Sequence, residues 1–154
     1  MRRERSFVSK LSFRSFLIVI ALGSSALAMA AEPTQQERNE QLVLDMWKGV
    51  ITNLDEAAVM RYIAVDYKQH NPNVGPGRQG LLEAVRRSKA QGGHHSIKRL
   101  IATFAKDDLV VLVWDRDLPD PKNPGRIYTN NAFDMFRVKD GMVVEHWDDA
   151  QKNP

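Results

Sequence analysis

The sequence predicts an α+β fold, with helices first and an antiparallel sheet after them. Three observations carry this reading. Apolar residues recur at helical spacing from Leu42 to Ile51 and again from Leu81 to Val85. After Gly93 the apolar period changes to that of strands. Near the C-terminus, Lys139-Asp140-Gly141 is a hairpin signal between two such strands. Helices followed by strands, rather than alternating with them, place the helices on one face of the sheet.

The elements follow in order. Residues 1–30 read as a secretory signal peptide. Arg2, Arg3, Arg5, Lys10 and Arg14 form a basic leader, Phe16–Leu22 a short apolar core, and Ala28-Met29-Ala30 a small-residue cleavage site. The apolar run is short for a bilayer span. The expected mature domain is therefore 31–154, periplasmic or secreted and free of the membrane once the signal is cleaved near Ala30. With no cysteine in the chain, lipid attachment through a cysteine is excluded and no disulfide is expected.

Thr34 and Glu37 fit a capping box opening the first helix, whose inward face is Leu42, Val43, Met46, Trp47, Val50 and Ile51. It is expected to end near Asn53. Asp55 caps a second, short helix reaching Tyr62. A brief extended piece is predicted at Tyr67–His70, before prolines and glycines between Pro72 and Gly80 break regular structure. A third helix runs from about Arg78 to Ala90, stopped by Gly92-Gly93. Four strands follow: "HSIKRLIATFA", "LVVLVWDRD", "RIYTNNAFDMFRV" and "MVVEHWDDA". The proline-rich "LPDPKNPG" between the second and third of these reads as an exposed rim.

Charge bounds the partners. The whole chain carries a formal +3, but the leader holds five basic residues and one acid. Without it, 17 basic residues face 18 acidic ones, a net of −1. A basic surface for nucleic acid thus has no basis in the mature domain. The cluster around Arg86, Arg87, Lys89, Lys98 and Arg99 is modest and reads as a solvated surface. No phosphate-cradling glycine motif or nucleophile elbow is present. His94 and His95 are adjacent, so in a strand they point to opposite faces, and zinc-type spacing is absent. Neither metal nor cofactor is expected.

The segment Val143–Gln151, "VVEHWDDAQ", admits polar residues into an apolar strand. Strand alternation places His146 and Asp148 on one face, and Glu145, Trp147 and Asp149 on the other. "YKQHNP" before a glycine-rich helix start, together with "FDMFRVKDGMVVEHWDDAQ", resembles SnoaL-like proteins of the nuclear transport factor 2-like superfamily. The resemblance covers about residues 34–151. It implies a cone-shaped α+β barrel in which a curved antiparallel sheet wraps the helices around a deep, mostly apolar pocket.

The resemblance also implies a site. Relatives of this type place an aspartate of the last strand in the pocket as a base, and Asp148 matches it by motif position. Burial disfavours the charged form of a carboxylate and makes it a better base. His146, on the same face, is expected to orient Asp148 or donate to a developing oxyanion. His70 is expected on the pocket wall as a further proton donor. Tyr67, Asn71, Trp114 and Phe133 are expected to contact ligand, and Asp134 to be exposed or interfacial. A tryptophan at position 114 makes the site more apolar than epoxide hydrolysis needs. The expected function is cofactor-free acid/base chemistry beside a carbonyl, such as cyclisation, isomerisation or dehydration, on a small hydrophobic ligand. The alternative is a non-catalytic ligand-binding or dimerisation module. Outward-facing Trp147 suggests a homodimer across the sheet face.

Overall fold

A computed structural model describes residues 31–93 and 97–152. The expected signal segment, 1–30, and His94-His95 lie outside the described residues. Among the described residues, three α-helices, a π-helical stretch and a five-stranded sheet make up the domain. Helix α1 spans Gln35–Met46 and opens on the predicted capping box: the Thr34 backbone N–H donates to Glu37 Oε2 at 2.6 Å, and the Glu37 backbone N–H to Thr34 Oγ1 at 3.3 Å. It continues without a break into a π-helical stretch, Trp47–Thr52, whose Trp47 and Val50 are buried. Helix α2, Glu56–Tyr62, is capped by Asp55, which accepts from the Ala57 N–H at 2.9 Å. Strand β1, Ile63–Gln69, and helix α3, Gly77–Ala90, follow. The remaining strands are β2 (Ile97–Lys106), β3 (Leu109–Pro119), β4 (Ile127–Lys139) and β5 (Met142–Asp148).

The strand order is β1-β5-β4-β3-β2. The last four strands are antiparallel neighbours, as the sequence predicts. The extended piece near Tyr67 is longer than predicted and pairs parallel with β5, so the sheet is mixed. Parallel pairing needs a long crossover, and α3 with three strands supplies it.

One sheet face carries the core. Val110 and Leu112 of β3, Phe136 and Val138 of β4 and Val143 of β5 are buried against Val43, Met46 and Val50 from the N-terminal helix and Val59 and Ile63 beyond it. The outer face leaves Phe104 and Phe133 exposed.

The β4–β5 hairpin decides which side chains face the helices. Its turn, Asp140-Gly141, takes positive φ at both residues (51° and 73°), the geometry of a tight two-residue hairpin. Lys139 pairs with Met142 and Val138 with Val143, but Arg137 then pairs with Glu145. One extra residue on β5, a β-bulge, intervenes. It reverses the alternation, so His146 and Asp148 join Val143 on the core side.

Candidate active site

An apolar cavity of about 450 Å³ lies between the helices and this sheet face. Trp47 and Val50 of the π-helical stretch, Val85 of α3, Trp114 of β3 and Phe136 of β4 form much of its wall. Trp47 meets Trp114 with ring centroids 5.4 Å apart and Phe136 edge-on at 6.3 Å. Such tilted aromatic contacts fix ring positions beyond what area burial alone would.

The polar groups gather where β1, β4 and β5 run side by side. Asp134 of β4 lies directly opposite Asp148 of β5. His146 Nε2 is 2.8 Å from Asp134 Oδ1, and both residues are buried. Trp114 Nε1–H donates to the other oxygen of Asp134. His146 Nδ1 is 2.9 Å from Gln69 Oε1. The Asn71 backbone N–H also donates to that oxygen, at 2.9 Å, and this fixes which end of the amide faces the imidazole. His146 Nδ1 must therefore be a donor, because Gln69 Oε1 can only accept. A hydrogen bond between Nε2 and Asp134 then requires one further proton held by that pair, on the ring or on the carboxyl.

Asp148 is half-buried beside them. Asn71 Nδ2–H donates to its Oδ2 at 2.5 Å and the Ala150 N–H to its Oδ1 at 3.1 Å. Tyr67, from β1, is buried in the same wall, and its hydroxyl oxygen accepts from Gln69 Nε2 at 3.2 Å. Burial, with Asp148 and Asp134 nearby, pushes the Tyr67 phenol far above its usual range. It is thus a neutral donor, and its own O–H proton has no acceptor among the described residues.

Of the sequence-predicted residues, Asp148, His146, Tyr67, Asn71 and Trp114 all line the cavity. His70 and Phe133 do not. Alternation along β1 turns Tyr67 and Gln69 inward, and His70, one residue past its end, faces outward. There, His70 stacks on Trp147 at 5.1 Å and meets Glu145 at 3.0 Å. That contact, with Arg137 3.2 Å from the same glutamate, holds the Glu145 carboxyl below its usual range. Phe133 points away from the helices between inward Ala132 and Asp134 and is half exposed. Asp134, expected at the surface, is instead buried at the centre of the site.

Two further residues escaped the sequence reading. Gln69 holds Tyr67, Asn71 and His146 together. Arg116, two residues beyond Trp114 on the same face of β3, lines the cavity and donates from Nη2 to Asp149 Oδ2 at 2.7 Å. Its Nε is shut off from solvent and has no partner among the described residues. As to metals, ligand atoms of Asp134, His146 and Asp148 lie within 4.8 Å of one another, close enough for one cation. Yet His146 and Asp134 already satisfy each other directly.

Known proteins share this fold. The profile of the family described as SnoaL-like domain matches residues 43–146. Among solved structures, Bal32a from a soil-derived mobile gene cassette is 17% identical, with a TM-score of 0.58 over 75% of this chain and 90% of that one. A putative polyketide cyclase from Xanthomonas campestris is 18% identical, with a TM-score of 0.56 over 75% and 91%. TsrD from Streptomyces laurentii is 20% identical, with a TM-score of 0.54 over 76% and 90%. At such identities these likenesses speak for the fold alone. No curated protein matches.

Proposed function

Because the chain belongs to the SnoaL-like family, whose members share a pocketed fold but not one chemistry, we propose a function from its own site: cofactor-free proton transfer beside a carbonyl of a small, largely apolar ligand. The carrying observation is that Asp148 and a buried neutral phenol, Tyr67, line the same apolar cavity. Asp148 removes a proton from the carbon next to the carbonyl. Tyr67 donates a hydrogen bond to the oxygen on which the enolate charge develops. His146 has both nitrogens engaged, so it acts through its neighbours: with Asp134 and Gln69 it holds the wall in place. Cyclisation, isomerisation and dehydration all begin with this step.

The test is deuterium uptake at the α-carbon of small aryl ketones in D₂O, followed by NMR. The protein accelerates exchange, and Asp148→Asn slows it by about 10²–10⁴-fold while leaving the thermal midpoint within a few degrees. Equal exchange by the variant would remove Asp148 as the base. A second reading, a binding module without chemistry, is favoured by one observation: both oxygens of Asp148 already accept hydrogen bonds. It expects ligand-dependent stabilisation with no exchange above background.

The same proposal includes export, with cleavage near Ala30, checked by N-terminal sequencing of the mature protein. It also includes a homodimer across the outer sheet face.

A further inference from the structure

The cavity wall carries two sets of polar groups. The carboxyl and phenol groups of β1, β4 and β5 form one. The other is basic, and proton transfer at Asp148 makes no use of it. Arg116 reaches the cavity from the far half of β3, and its Nε–H is buried with no acceptor among the described residues. A buried unpaired donor is uncommon in native proteins and calls for a partner. Asp149 takes only Nη2. From the other side, α3 presents Ala84, Arg87 and Ser88 to the cavity, with Gln91 at its C-cap, spaced as one helical face. Arg87 is exposed and makes no ion pair among the described residues. Two arginines against Asp149 leave one positive charge at this end.

We propose that this end of the cavity binds a carboxylate, so that the ligand is a small apolar acid whose carboxylate sits on Arg116 beneath Arg87. The proposal rests on the pocket being a ligand site, as above, and names the class of molecule it takes. A planar guanidinium offers Nε–H and a neighbouring Nη–H as a fork matched to the two oxygens of a carboxylate. A neutral carbonyl would fill one donor and leave the charge unanswered. An ammonium group would meet like charge. The apolar wall of Trp47, Val85 and Trp114 takes the hydrocarbon body. The reacting carbonyl then lies toward Tyr67 and Asp148, held off from the carboxylate by that body.

Calorimetry with 4-phenylbutanoate and its methyl ester separates the possibilities. The purified protein binds the acid at least about tenfold more tightly than the ester, and added salt narrows the gap. Arg116→Met, which keeps the aliphatic stem, brings the two ligands within about twofold. Should that variant lose its cooperative melt, Arg87→Glu decides. Its side chain is exposed, so the fold tolerates the change, and it weakens the acid several-fold without touching the ester. Equal binding of acid and ester by the unaltered protein overturns the carboxylate site and leaves the pocket reading standing. So does a preference that survives both substitutions, as when a bridging water alone satisfies Arg116 Nε. Binding of neither ligand removes both readings.

Discussion

Tyr67 stands at the junction of stability and chemistry. Its phenol is buried near two carboxylates, and its oxygen is the acceptor for Gln69. Tyr67→Phe leaves the Gln69 amide short of a partner, which costs about 1–3 kcal/mol and removes the proposed oxyanion donor. The raised phenol also sets an alkaline limit. The folded protein holds the neutral form more strongly than the unfolded chain, whose phenol ionises near 10.0. Tyr67 therefore contributes full stability below that value and loses it as pH climbs further. In urea titrations, the fall in stability above pH 10 is steeper for the natural protein than for Tyr67→Phe; parallel curves would contradict this. The residue itself was visible in the sequence, through "YKQHNP". Its partner Gln69 was not, because a glutamine earns notice only from what it touches. His70 drew attention for its chemistry, yet it directly follows inward Gln69 at the end of β1 and so faces the other way.

Among the elements, helices with periodic faces and marked caps were legible almost to the residue, since capping and amphipathicity are local. The β5 bulge was not. A straight two-residue hairpin pairing Lys139 with Met142 would set Phe133 opposite Asp148. The extra residue sets Asp134 there instead. That one-residue shift explains both the misplaced Phe133 and the overlooked Asp134. The prolines and glycines before α3 were readable only as irregular, whereas the structure shows a close contact between backbones. A Cβ at Gly80 would stand 2.0 Å from the Gly75 carbonyl oxygen. No side-chain rotation relieves such a clash, so Gly80→Ala must displace the loop entering α3. It is expected to lower the thermal midpoint by about 10 °C or more; a change under about 2 °C would mean the loop yields freely.

At the scale of the whole molecule, the sheet has one face turned to the helices and one that still exposes aromatic surface. Phe104 and Phe133 are 62% and 52% exposed, and both point away from the helices, flanking β3. Trp147 is held on that face by His70 at one ring face and by Arg137, 5.6 Å from its centroid. Exposed apolar groups gathered on one sheet face mark an association surface. Under the proposed homodimer, light scattering gives twice the chain mass, and Phe133→Glu halves it while the cavity still binds ligand. A monomer of natural sequence would refute this.

The parallel pairing of β1 with β5 sets an order of events in time. Asn71 and Asp148 are partners 77 residues apart, and so are Gln69 and His146. A chain emerging N-terminus first, from a ribosome or through a translocation pore, holds Tyr67 and Gln69 long before the strand that completes them exists. Long-range pairing of this kind is slow to form because loop closure must come first. The acid, its amide clamp and the imidazole thus come together only when the final strand docks. Until then Tyr67 and Gln69 stand without the partners that β5 brings.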